Sequence, residues 1–285
     1  MELKRRPTGF TLLEAIVSIV LLGIISSVLA VFIAKPVQGY IDTVRRARIT
    51  DVADLALKRM GLEIRTAVPN TVRLSFGATP TTSCTASATG CFLEFIPARN
   101  GGRYCTDTNT GCNALSYGPG SVDTSFDVLG PATDAAVGEY LVIYNTGQTG
   151  LDAYAGSNRR TIAAGTTTSA ITFSLSAGTG FTYGSPSNRF QIVPTTQAVT
   201  FACEGVGGTT NGTGSLNRYD SYGFNAAQAT SGLGTARLLA DYVSACQINY
   251  NSVSARDGIV AITLTITRET ESVTLLNQIH VYNMP

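Results

Sequence analysis

The chain has 285 residues, a formal net charge of +1, six cysteines, one histidine and no tryptophan. A balance so close to neutral argues against nucleic acid or anionic lipid as the main partner. Little charge, with much Gly, Thr, Ser and Ala, points to a loop-rich β protein outside the cytoplasm and away from a charged cytosolic enzyme.

The first expected element is an apolar helix. Lys4, Arg5 and Arg6 precede it, and Ala15 to Ala34 carries neither charge nor proline. At about 1.5 Å per residue that run makes roughly 30 Å of helix, the thickness of a bilayer core. Two plain readings fit the hydropathy. One is a secretory signal peptide cut near Val28-Leu29-Ala30; the other is a simple single-span anchor. Neither explains Glu14, a carboxylate at the edge of the run. An acid in hydrocarbon is costly unless it finds a partner.

Gly9-Phe10-Thr11-Leu12-Leu13-Glu14, set between basic residues and an apolar run, resembles the N-terminus of type IV prepilins and pseudopilins. The resemblance implies an α+β, pilin-like fold. A long N-terminal helix, apolar in its first half and amphipathic in its second, would pack on an antiparallel β domain. It further implies cleavage after Gly9 by a prepilin peptidase, methylation of the new Phe10 amine by the same enzyme, and a role for Glu14 in assembly. In a filament core a bare amine and a bare carboxylate are each costly. The Phe10 amine of one subunit against Glu14 of another neutralises both. Gly9, lacking a side chain, lets the peptidase approach the backbone closely.

On this reading residues 1–9 are a leader and residues 10–34 a membrane and filament-core helix. Residues 35–68 form the amphipathic helix. Residues 69–285 form a β-rich periplasmic domain with a loop-rich insertion at 77–135. Lys35, Arg45, Arg46 and Arg48 follow the span, so the charge count alone does not set its orientation. The motif and the cysteines do.

Pro36 removes one backbone donor and is expected to kink or break the helix. Beyond it Ile49, Val52, Ala53, Ala56, Met60 and Ile64 share one face. Asp51, Asp54, Lys58 and Arg65 form the opposite stripe. Asp54 and Lys58 have the favourable order for an ion pair four residues apart. The Arg45-Arg46-Ala47-Arg48 cluster reads as a solvated face, with a docking patch as its alternative. Pro69-Asn70 is expected to end the helix.

Six cysteines suit an oxidising compartment. The expected pairs are Cys84–Cys91, Cys105–Cys112 and Cys203–Cys246; the first four can also cross-pair. A four-thiolate zinc site is disfavoured, because its cysteines usually sit closer together in sequence. In residues 77–135 disulfides are expected to stand in for a missing core. Asp107-Thr108-Asn109-Thr110-Gly111 faintly suggests a calcium loop, but the downstream glutamate is absent.

Strands are expected at Val72–Phe76, Phe92–Ile96, Tyr140–Tyr144, Ala170–Leu175, Arg189–Val193, Val199–Ala202 and Gln247–Tyr250. Ala236–Val243 reads as one or two helical turns with Leu238, Leu239, Tyr242 and Val243 inward. Gly205–Gly214 is a loop without the strand-to-helix context of a phosphate site. The clearest β signal is last. Val260, Ile262, Leu264 and Ile266 alternate with threonines, and Val273 to Tyr282 returns as the second arm of a hairpin. That hairpin is expected to cover the long helix.

Leu238-Leu239-Ala240-Asp241-Tyr242, Arg256-Asp257-Gly258-Ile259-Val260 and Glu271 to Val281 resemble minor pilins of the mannose-sensitive haemagglutinin (MSHA) pilus, as does Lys35-Pro36-Val37-Gln38-Gly39-Tyr40. The resemblance implies a filament-priming or capping subunit whose partners are the prepilin peptidase, other pilins, an inner-membrane assembly platform and the membrane itself. A tip adhesin or surface-binding module, whose residues 77–135 would bind glycan or a surface, and a J-type pseudopilin of type II secretion, are the alternatives.

Catalytic chemistry is thin. His280 stands alone, so no histidine-based metal site or Ser-His-Asp set is expected, and no cofactor. Glu94, Asp123, Asp127, Asp134 and Glu139 are the carboxylates that could converge. Tyr117, Tyr140, Tyr144, Tyr154 and Tyr183 could line a sugar surface, though core or rim positions suit them better. An enzyme is not expected.

Overall fold

The computed structural model describes residues 9–106, 111–252 and 257–285. Lys4, Arg5, Arg6, Arg256 and most of the calcium-loop candidate, Asp107 to Thr110, lie outside the described residues.

One helix, α1 (Leu12–Arg65), opens the fold. It runs through Pro36 without a break. Of the kink or break expected there, the break does not occur: proline's fixed φ is itself helical, and the donor lost to the Phe32 carbonyl is one among many in a helix of 54 residues. The chain forms two compact units, Met1–Arg48 and Ile49–Pro285.

In the first unit the helix surface up to Ile33 is almost wholly apolar and exposed, and charged residues return from Lys35 onward. Phe10, Leu12, Leu22, Phe32 and Ile33 all stand out from it. In the second unit the helix is amphipathic. Ile49, Ala53, Ala56, Leu57, Met60 and Ile64 are buried in one core with the strands. Lys58 and Asp54 pair at 2.7 Å on the outer side.

All strand pairs are antiparallel. The larger sheet has nine strands. Its main path runs β15 (Glu271–Tyr282), β14 (Asp257–Arg268), β13 (Arg237–Ser252), β12 (Gly214–Asp220), β11 (Val199–Glu204), β4 (Cys91–Phe95), β1 (Arg73–Phe76) and β2 (Thr79–Thr81). The ninth strand, β3 (Ser83–Thr85), pairs with β13. The terminal hairpin forms as expected, from Asp257↔Tyr282 to Arg268↔Glu271. Val260, Ile262, Leu264, Ile266, Ile279 and Val281 put its buried face into the helix core. Asn277 Nδ2 donates to the Leu57 carbonyl at 3.0 Å. Gly61 permits this approach, since a Cβ there would stand 3.2 Å from that same amide nitrogen.

The second sheet has six strands in the order β8 (Arg159–Thr161), β7 (Tyr140–Ile143), β10 (Arg189–Val193), β5 (Asn100–Tyr104), β6 (Ser125–Leu129) and β9 (Ala170–Thr172). Its two ends meet through an Ile162↔Phe173 bridge, with Ala163 N donating to Thr172 O and Ser174 N to Thr161 O, both at 2.8 Å. The sheet therefore closes on itself, and closure leaves no long free edge. Its interior is aromatic, with Tyr104, Phe126, Phe173, Phe181 and Phe190 packed together.

Two sequence expectations fail here. Residues 77–135 do build core. They supply β2, β3 and β4 to one sheet and β5 and β6 to the other, and all of Cys91–Phe95 is buried. Ala236–Val243 is the start of β13, not helical turns. Pairing with β12 from Arg237 to Val243 holds that segment extended, β14 joining at Val243, and Leu238 is outward at 60% exposed. The helix also ends at Arg65, ahead of Pro69.

Candidate functional site

The site is the head of α1. Thr11 caps the helix: its Oγ1 accepts from the Glu14 backbone N–H at 3.3 Å, and its carbonyl accepts the Ala15 N–H at 3.2 Å. Thr11-Leu12-Leu13-Glu14 thus has the residue spacing of a capping box, with a carboxylate where the helix dipole favours one. Helix and cap together fix where Glu14 stands relative to Phe10.

Gly9 is exposed, and nothing lies within 4 Å of the place a Cβ would occupy. The backbone on either side of the Gly9–Phe10 bond is therefore open to an enzyme. Phe10 is 74% exposed. The Glu14 side chain is exposed too, and among the described residues its carboxylate has neither a hydrogen-bond nor an ion-pair partner. Such a group, heading an apolar surface, needs a partner from outside its own chain once water is removed.

Residues 4–30 match the model of the prokaryotic N-terminal methylation motif. The N-terminus is a type IV pilin-like prepilin signal. The prepilin signal implies processing by a prepilin peptidase and assembly with other pilins. The helix it opens is long and apolar enough, by length and composition, to cross a membrane. No curated protein and no solved structure matches the chain.

The other residues singled out in the sequence are dispersed. Cys84–Cys91, Cys105–Cys112 and Cys203–Cys246 are disulfides, with Cα separations of 5.9, 6.4 and 6.4 Å. The carboxylates do not converge. Glu94 is fully buried and binds Arg73 and the Tyr222 hydroxyl. Burial pushes its carboxyl up, against the downward pull of Arg73 and Tyr222. Glu139 and Asp134 both bind Arg99. Hydrogen bonds from Asn100 and Arg99 hold the Asp134 carboxyl below its usual range. Asp123 and Asp127 accept backbone N–H groups of Ser116 and Asn113.

His280 is exposed on β15. Tyr154 is buried, with the Arg73 guanidinium 3.6 Å from its ring centre. Tyr140 packs edge-on against Phe224, and Tyr144 joins the rim of the barrel core. Of the five tyrosines, Tyr117 and Tyr183 stay exposed.

The arginine contacts that join distant segments, ion pairs and hydrogen bonds to carbonyls alike, were not readable in the sequence. Arg218 on β12 reaches Glu63 of the helix at 2.7 Å, and Arg73 binds the Asn225 and Ala226 carbonyls at 2.7 Å each. Nothing local marks such pairs, because the partners are brought together only by the fold.

Proposed function

We propose that this chain is a minor pilin, a structural subunit and not an enzyme, that primes or caps assembly of a type IV filament of the MSHA type. The observation that carries the reading is the Glu14 carboxylate, without a partner among the described residues, in the first turn of an exposed apolar helix, behind an open Gly9–Phe10 bond. Before assembly the helix anchors the chain in the inner membrane, with the cysteine-bearing domain in the periplasm. On extraction, Glu14 accepts the methylated Phe10 amine of an adjoining subunit, and both charges are neutralised inside the helix bundle. A subunit that keeps this carboxylate can take a neighbour, so it need not be the last one added.

The placement among MSHA minor pilins, the MshO kind, rests on the likeness of the Lys35–Tyr40 segment and the C-terminal strands. Three disulfides suit an oxidising compartment. The engaged state of Glu94, Asp134 and Glu139 supports a structural role, since each carboxylate already has an arginine.

N-terminal sequencing of the mature protein tests the reading directly. A methylated phenylalanine from Phe10 is expected; a product beginning at Met1, or beyond Ala30, overturns it. Gly9→Val is expected to leave the precursor uncut, because a branched side chain blocks the peptidase from the backbone. Glu14→Val is expected to be cut normally yet to fail to enter filaments. Co-purification with a secretion machinery in place of pilus components would move the chain to the J-type pseudopilins.

A further inference from the structure

The closed six-stranded sheet carries a like-charge pair that nothing among the described residues neutralises. Arg103 on β5 and Arg189 on β10 are direct cross-strand partners. Their neighbours in the same register, Gly102 and Phe190, face the barrel interior, where Phe190 is buried. Side chains alternate along a strand, so both arginines stand on the outer face. Neither has an ion-pair or hydrogen-bond partner among the described residues. Like charges placed directly opposite are destabilising in an antiparallel pair. The nearby carboxylates Asp134 and Glu139 are both taken by Arg99.

A groove of about 660 Å³ runs beside the pair. Gly101, the cross-strand partner of Gln191, leaves the floor without a side chain. Leu129 and Pro131 supply an apolar wall, and Leu129 is itself the partner of Arg103 on β6. Gln191 also lines the groove, with its Oε1 buried beneath the surface and without a hydrogen-bond partner among the described residues. Past Arg189 and Gln191 a second groove of about 330 Å³ continues toward Asn100 and Arg65.

We propose that this track binds an acidic saccharide, with Arg103 and Arg189 clamping a sugar carboxylate. Planar guanidinium groups match a carboxylate through paired N–H donors. The apolar wall takes the C–H face of a ring, and the groove lies within the usual size range for small-ligand sites. A nucleic-acid strand fits less well. Among the described residues Tyr282, at the far end of the second groove, is the single exposed ring along the track, too few for successive bases to stack, and phosphate binding draws on more cations than this track offers. The site goes beyond the pilin reading and does not depend on whether the chain joins a filament.

The test uses the full-length chain in detergent micelles and isothermal titration at low salt. The probes are oligosaccharides of alginate, which carry a carboxylate on every sugar, neutral dextran oligosaccharides, and a single-stranded oligonucleotide. Alginate is expected to bind and dextran not to bind. The double variant Arg103→Gln/Arg189→Gln is expected to bind alginate about tenfold more weakly or worse. Leu129→Glu puts a resident carboxylate opposite Arg103 and is expected to block binding with no loss in thermal denaturation temperature. The proposal is overturned by any of three results: alginate binds no better than dextran, the oligonucleotide binds as tightly as alginate, or the arginine variants bind like the parent.

Discussion

Asp220 shows how single side chains hold the β domain to the helix. Its carboxylate binds Arg218, and the same guanidinium reaches Glu63 on the helix at 2.7 Å. Arg237 approaches Asp220 from β13 at 3.4 Å. Burial alone would raise the Asp220 carboxyl, but the bond and charge of Arg218, then Arg237 and Ser221, outweigh it and hold it below its ordinary 3.8. A carboxyl depressed in the folded state binds fewer protons there than in the unfolded chain. Its contribution to stability is therefore present above about pH 3.8 and is lost as pH falls through the lower folded value. Asp220→Asn is expected to cost about 1–3 kcal/mol near neutral pH. The cost should shrink below that ordinary value, where the parent carboxylate also takes up its proton. Denaturant midpoints of parent and variant across pH 2 to 8 check this; a cost independent of pH would remove the ion pair as its cause. None of this was legible in the sequence. Arg218 and Glu63 lie 155 positions apart, and no local pattern marks a pair that only a packed helix and strand create.

At the scale of elements, periodicity served where one neighbour decides burial and failed where two do. The helix stripe of Ile49, Ala53, Ala56, Met60 and Ile64 was readable because a single sheet covers a single face. The terminal hairpin was readable because each arm alternates against that same helix core. β13 was not, because both its edges are paired and its register shifts at three points, so Leu238 and Leu239 do not alternate cleanly. The stripe predicts a contrast within one turn of α1. Met60 is fully buried, while Leu62 is 68% exposed. Met60→Ala removes apolar contacts and leaves a cavity, at an expected cost of about 2–5 kcal/mol. Leu62→Ala is expected to change stability by about 0.5 kcal/mol or less. Urea unfolding followed by circular dichroism measures both; equal effects would mean the helix does not use this face.

At the scale of the molecule, the disulfides are part of the curvature of the larger sheet. Cys203 lies on β11 and Cys246 on β13, with β12 paired between those strands. Two strand spacings in a flat sheet would hold their Cα atoms at least about 9.5 Å apart. They stand at 6.4 Å, so the sheet bends sharply there, beside register shifts at Gly214/Leu216 and Leu216/Asn217. Cys91 is the cross-strand partner of Cys203 and is bonded to Cys84 on β3, itself paired with β13. The two disulfides therefore tie β3, β4, β11 and β13 around one buried point under the helix core. Replacing both Cys203 and Cys246 with alanine frees a loop of 43 residues in the unfolded chain and relaxes the bend. The expected cost is about 2–5 kcal/mol, read as a lower urea midpoint. Reducing the parent with dithiothreitol should move its midpoint in the same direction. If the oxidised parent and the alanine variant unfold together, the bend is held by side-chain packing and the bond adds nothing to it.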